Sequence, residues 1–289
     1  MTIKLFTDSS ADLPKELIQR YDIEVVPLLV IDGDQQYEDN VTLDPADLFR
    51  GMREGKVYKT SQISYQTLYD RLKPYAEQGQ SCLYLAFSSE LSGTYQTGVM
   101  VKNDILEQYP DFELEVLDTK CASLGEGMVV LKIAELAQQG KSMAELLAAA
   151  SFFARHMEHI FTVDDLKYLL RGGRVSPIAA FIGGILQIKP ILDVEDGKLI
   201  PIEKVRGRKK VFQRMIEIIR ERGVALDKQT IGISHGDDLE GAEQLAAMIR
   251  EAFGTPEIVI SMIGASVGAH SGPGTMAIYF LNQEWNAVS

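Results

Sequence analysis

Lys4-Leu5-Phe6-Thr7-Asp8-Ser9-Ser10-Ala11-Asp12-Leu13-Pro14 is the stretch on which the fold turns. Lys4 to Thr7 reads as a short apolar strand. The hydroxyls and carboxylate that follow suit the cap of a helix, and Pro14 suits its first turn. The same strand-then-capped-helix unit recurs downstream. Glu24 to Ile31 reads as a second strand ending at the turn Asp32-Gly33, and Asp44-Pro45 opens a helix. Ser64 caps a helix over Tyr65 to Gln78. Cys82 to Phe87 is an apolar strand, Gly93 to Gln108 a helix, Glu113 to Leu117 a strand, and Gly127 to Gln139 a helix. Such alternation predicts a parallel sheet with helices on both faces, a three-layer α/β domain.

The second half has a different rhythm. Ser142 to Met157 reads as a helix that carries the chain across, and His159 to Val163 as a strand. Ser176-Pro177 opens an almost wholly apolar helix, Ile178 to Ile188. Ile191 to Val205 reads as a hairpin about Asp196-Gly197, a strong turn signal. Helices follow at Val211 to Glu221 and Leu239 to Phe253. Strands are read at Thr230 to Ser234, Glu257 to Ile263 and Met276 to Leu281. Hairpins mixed with helices predict an α+β domain. The expected division is residues 1–157 and 158–289.

Bulk properties narrow the function. The chain has 289 residues, 46% of them hydrophobic and 24% charged, with a net charge of −12. That is enough chain for a sizeable core around an internal cavity. The acidic balance argues against a nucleic-acid partner, which needs a basic face. The one basic cluster, Arg206-Gly207-Arg208-Lys209-Lys210, is short and suits a local docking patch. No apolar run approaches the roughly 18 residues of a membrane span. The short apolar start Met1 to Phe6 is no secretory signal. With only Cys82 and Cys121, read as buried thiols, these features predict a cytoplasmic protein.

The chemistry-bearing segments are hydroxyl-rich turns beside strands: Thr7-Asp8-Ser9-Ser10, Thr60-Ser61-Gln62, Ser88 to Thr94, and Asp118-Thr119. In an open parallel sheet, ligands sit outside the carboxyl ends of the strands, and free amides at helix starts attract anions. Ser9 and Ser10 read as ordinary caps. Ser92-Gly93 reads as a ligand contact, because Ser88 or Ser89 suffices as a cap and Gly93 lets a ligand approach the backbone. Leu170-Arg171-Gly172-Gly173-Arg174 sets glycines between arginines suited to a carboxylate or phosphate. Of the four histidines, His270 stands out in Gly268-Ala269-His270-Ser271-Gly272-Pro273-Gly274, read as a constrained loop that aims the imidazole. Metal-ligand spacing, Cys-x-x-Cys, a nucleophile elbow and phosphate loops are all missing.

Taken in order, these segments resemble the DegV family, which includes the fatty-acid-binding subunits (FakB) of bacterial fatty acid kinase. The resemblance spans Phe6 to Pro14, Thr60-Ser61-Gln62, Leu91 to Gln96, Asp118 to Gly127, Leu170 to Ser176, Lys189 to Leu192, and His270 to Gly274. It implies two domains with a long-chain fatty acid in a tunnel between them and no other cofactor. It carries the acid's carboxylate to Thr60 and Ser92, with Ser61, Gly93 and His270 at the same end. It also implies a separate kinase of the FakA type, which uses ATP to make an acyl phosphate on the carrier. Arg171 and Arg206 become candidates for handling that charge or docking the kinase, and transient contact with a membrane surface is compatible with the role. On this view the chain is a carrier and catalysis belongs to the partner. One departure is Ile63, where many relatives have proline.

The physics suits the resemblance. A chain of about 16 carbons represents roughly 12 kcal/mol of apolar transfer, and a buried carboxylate needs the hydrogen bonds that hydroxyls and amides supply. Two other readings stand beside it. One is a stand-alone hydrolase with Ser92 as nucleophile, His270 as base and Asp118 orienting it. The other is a regulatory module for a different small anion.

Overall fold

The computed structural model describes residues 3–175, 188–254 and 257–285. Its strands are β1 (Lys4–Asp8), β2 (Glu24–Val26), β3 (Leu29–Asp32), β4 (Gln35–Glu38), β5 (Lys59–Ser61), β6 (Cys82–Ala86), β7 (Leu114–Asp118), β8 (Met157–Thr162), β9 (Ile188–Glu195), β10 (Lys198–Arg206), β11 (Ile231–His235), β12 (Ile258–Met262) and β13 (Met276–Leu281). The helices are α1 (Lys15–Arg20), α2 (Pro45–Arg53), α3 (Tyr65–Gln78), α4 (Thr94–Gln108), α5 (Leu124–Gln138), α6 (Met143–His156), α7 (Lys167–Gly172), α8 (Arg208–Arg222), α9 (Leu239–Phe253) and α10 (Ala265–Ser271).

The first sheet is parallel, in the order β2-β1-β6-β7. Its strands obey the two-residue alternation of a sheet buried on both faces. Leu5, Leu83 and Leu85 face the core shared with α5 and α6. Phe6, Cys82, Tyr84 and Ala86 face Leu68 and Leu72 of α3 and Val101 and Ile105 of α4. The second sheet is mixed, in the order β10-β9-β8-β13-β11-β12, with only β11 and β12 parallel. One face packs Ile160, Ile231, Ile233 and Ile278 against α8 and α9. From its other face Phe161 and Tyr279 join the core of α5. Helix α5 is therefore wedged between the two sheets, which is why ten of its residues are buried and its surface is apolar nearly all round. The expected α/β half and α+β half are both present.

Three local expectations need correction. Glu24 to Ile31 is two strands, because Pro27 cannot donate to a ladder and the chain bends there. Beyond it, β3 leaves the parallel sheet and pairs with β4 and β5 in a small antiparallel sheet. The last residue of β1, Asp8, caps a single 3-10 turn by accepting from the Ser10 amide, and α1 starts afresh after Pro14. The apolar helix expected over Ile178 to Ile188 lies outside the described residues apart from Ile188, which opens β9. The hairpin is as expected: Asp196 and Gly197 both take positive φ, 47° and 83°, as a two-residue turn of the I′ kind requires.

Candidate functional site

A cavity of about 250 Å³ lies between the two halves and takes wall residues from both. Most of its wall is apolar, with Phe87 and Leu91 from the first half and Phe161, Val194 and Leu199 from the second. Thr60, Ser61, Ser92, Gly93, His270 and Arg174 belong to the polar part. The five carboxylate-site residues expected from sequence thus share one cavity.

Thr60 reaches the cavity because β5 is held in register by β3, Thr60 opposite Val30. Its hydroxyl lies 2.6 Å from Nε2 of His270. His270 is not on a loop as expected. It is the penultimate residue of α10, and the glycines around it serve packing. A Cβ at Gly172 would lie 2.1 Å from His270 Nδ1, and one at Gly268 2.8 Å from the Phe49 ring. Burial pushes the His270 pKa down to about 4, with the Arg174 charge adding to it. The imidazole is therefore neutral near pH 7 and has one N–H to give. If Nε2 carries that proton it donates to Thr60 Oγ, which frees the Thr60 O–H to donate into the cavity.

Ser92 has a similar arrangement. Its Oγ accepts from the Thr94 amide at 3.2 Å and lies 2.9 Å from Thr94 Oγ1. With Thr94 as donor, the Ser92 proton is also free to point inward. The expected cap at Ser88 or Ser89 is absent. Helix α4 has Gly93 as its cap residue and no side-chain cap bond. Ser88 instead donates to the Gly197 carbonyl across the two halves, at 2.9 Å. The room at Gly93 belongs to Gln62, since a Cβ there would lie 2.0 Å from Oε1 of that side chain.

Other residues singled out from sequence go elsewhere. Arg171 is exposed, its guanidinium 5.5 Å from the Tyr168 ring centre, and Arg174 is the arginine on the cavity wall. Arg206 ends β10 on the surface. Ile63 is buried beside Leu68 and Leu72, so an apolar residue suits the place of the relatives' proline. Asp118 accepts from the Ser89 and Lys120 amides and pairs with the Lys120 ammonium at 3.1 Å. The Ser92–His270–Asp118 constellation of a hydrolase is therefore not assembled.

Sequence reasoning missed Ser271. It is 6% exposed and lines the cavity, and its Oγ has no hydrogen-bond partner among the described residues. The signal that could have found it is its place beside His270. No group of three or more His, Cys, Asp or Glu among the described residues is arranged to hold a metal ion. Nor is any described helix long and apolar enough to cross a membrane.

Fold and site together define a two-sheet α/β protein with a mostly apolar cavity that carries a set of polar side chains. The chain belongs to the DegV family, whose model, described as an uncharacterised protein family, matches residues 2–283. A DegV domain-containing protein of Clostridium perfringens is 41% identical over 280 residues, 96% of each chain. A fatty-acid-binding DegV family protein of Thermus thermophilus superposes with a TM-score of 0.88 at 30% identity, covering 98% of this chain and 100% of that one. A DegV lipid-binding protein of Thermotoga maritima gives 0.87 at 31% identity, covering 99% and 100%.

Proposed function

We propose that this protein binds one long-chain fatty acid and presents its carboxylate to an ATP-dependent kinase, which converts it to an acyl phosphate. The observation that carries the reading is the pairing of Thr60 with His270 at 2.6 Å on the wall of a mostly apolar cavity. A site about 250 Å³ in volume is more than ten times what one water needs, roughly 10–15 Å³. Its walls favour hydrocarbon. A carboxylate entering it must exchange water for protein donors. The directed chain from His270 Nε2–H through Thr60 O–H supplies one, and Ser92 supplies another. A neutral imidazole suits this role, because it supports the Thr60 donor without trapping the anion as a fixed ion pair. Fatty-acid binding by the Thermus thermophilus relative supports the same reading.

The kinase step rests on the motif resemblance from Thr60 to Gly274. Arg171 and Arg206, both exposed, remain the candidates for meeting the kinase or the growing phosphate charge. ATP as co-substrate puts the pair in the cytoplasm, and the residue span 1–157 and 158–289 is the domain division that goes with a tunnel between lobes.

The test is to extract the purified protein with organic solvent and weigh the extract by mass spectrometry. One equivalent of fatty acid is expected. An empty extract, together with no uptake of added palmitic acid, would overturn the reading. Adding a fatty acid kinase and ATP to the loaded protein separates the second claim, through acyl phosphate formation that His270→Ala abolishes while lipid stays bound.

A further inference from the structure

Helix α10 comes from the second half of the chain but is held at both ends by the first half. At its start, Gly264 N–H donates to Asp12 Oδ1 at 2.8 Å and Ala265 N–H to Asp39 Oδ1 at 2.7 Å. The Ser266 hydroxyl donates to Asp39 Oδ2 at 2.6 Å. The other sides of these carboxylates are held as well, Asp39 by the Ser9 hydroxyl at 2.8 Å and Asp12 by the Ser123 hydroxyl at 2.5 Å. At its far end, His270 meets Thr60.

Both acids are deeply buried, Asp12 at 5% and Asp39 at 0% exposure. Burial raises the pKa of each, so holding them charged works against stability. A packed leucine would secure a helix at lower cost. Carboxylates supply something a leucine does not, which is direction. Hydrogen bonds to the amides of two consecutive residues fix both the rotation of the helix and its position along its axis. A helix rises about 1.5 Å and turns about 100° per residue, so even a one-residue slip would break the 2.6 Å contact at the other end. Gly264 shows how close the grip is, since a Cβ there would lie 2.6 Å from Asp12 Oδ1.

We propose that Asp12 and Asp39 are positioning residues, which set the register of α10 so that His270 orients Thr60 toward the bound head group. The inference rests on the reading of the cavity as a fatty-acid site and names the groups that make its polar end selective.

The experiment compares palmitic acid with hexadecanol, which share a tail and differ at the head, on the full chain. Wild type should prefer the acid. Asp39→Asn should lose about tenfold of that preference, the scale of one charge-assisted hydrogen bond. The His270 ring, followed by NMR, should titrate closer to the ordinary 6.5 than to about 4. Ser266→Ala removes one donor and leaves the acid in place, so it carries the test if Asp39→Asn does not fold. Its expected loss is smaller, about threefold. An unchanged acid-to-alcohol ratio and His270 titration in the folded variants would overturn the inference alone. A wild type with no preference for the acid would sink the reading of the cavity, and the inference with it.

Discussion

Hydroxyl-rich turns that look alike in sequence end in opposite circumstances. At residues 7–10 every hydroxyl is buried and already partnered. Thr7 donates to Glu126 at 2.9 Å and lies 3.0 Å from the Leu85 carbonyl, Ser9 donates to Asp39, and Ser10 donates to Asp8. At Thr60 and Ser92 the hydroxyls are half-buried, and their partners are a neutral imidazole and another hydroxyl. The difference lies in the acceptor. A carboxylate oxygen accepts and so engages the hydroxyl proton in a hydrogen bond, whereas a neutral ring or a second hydroxyl can act as donor and leave the proton available. The turn at residues 7–10 is closed upon itself, and those of Thr60 and Ser92 remain able to serve a ligand.

Cutting the closed turn should give the largest effect. Asp8 accepts from the Phe87 amide at 3.0 Å, from the Ser10 amide at 3.2 Å, from Tyr84 at 3.2 Å, and from the Ser10 hydroxyl. Asp8→Ala leaves the Phe87 amide, the Ser10 amide and the Tyr84 hydroxyl buried without this acceptor, while the Ser10 hydroxyl keeps Glu126 at 3.4 Å, and should lower stability by about 4 kcal/mol in urea unfolding. The preference for acid over alcohol should not change in the folded fraction. A shift in that preference without loss of stability would break the distinction between the closed and the open turns.

The next effect is in pH. Burial raises the Asp8 pKa from 3.8 to about 6, more than its hydrogen bonds lower it. A folded value above the unfolded one means a contribution that is full below pH 3.8 and lost as pH rises through about 6. Asp8→Asn has no such proton to lose. Its stability relative to wild type should therefore improve by on the order of 3 kcal/mol between pH 4 and pH 7. His159 and His270, both lowered to about 4 by burial, act in the opposite direction. Their contribution is full above 6.5 and lost as pH falls toward 4. Because both histidines are present in both proteins, their contribution cancels in the difference between the two unfolding curves, which reads Asp8 together with its effect on the neighbouring Glu126 and Asp12 carboxyls.

Substitution in the open turns should show in binding and hardly in folding. Thr60→Val and Ser92→Ala should each weaken palmitic acid by about tenfold and hexadecanol by less than about twofold, with stability moving by less than about 1 kcal/mol. Isothermal titration and urea unfolding on the same samples read both. Wild-type affinity for the acid in both variants would remove these hydroxyls from the head-group site.

How much of this could be read in advance follows from the range of the forces. Strands such as Met276–Leu281 and helices such as Leu239–Phe253 and Tyr65–Gln78 were legible to the residue, because local periodicity and caps decide them. The split at Pro27 was also local but was outweighed by the run of valines and leucines around it. The small sheet β4-β3-β5 was not legible, since it depends on pairings between segments up to about thirty residues apart. At the site, Thr60, Ser92 and His270 came from motif order, yet only tertiary structure shows that Thr60 and His270 touch across 210 residues. The same holds for Arg174 against Arg171. Both flank a glycine pair, and only the course of α7 decides which one borders the cavity. Nothing in Ser9, Asp12 or Asp39 alone announces that they meet α10.

Ser271 stands between the two kinds of turn and gives the smallest expected effect. Like the hydroxyls of residues 7–10 it is buried, and like Thr60 it borders the cavity. Unlike either, its Oγ has no partner among the described residues. A buried hydroxyl without a partner costs about 1–3 kcal/mol, so Ser271→Ala should leave stability unchanged or raise it by up to about 1 kcal/mol in the empty protein. If a bound carboxylate is the missing partner, the same substitution should weaken palmitic acid by a few fold, and the loaded protein should lose the stability that the empty one gained. Equal responses of the empty and loaded forms in urea unfolding would place Ser271 with the closed turn, as packing that the head group never meets.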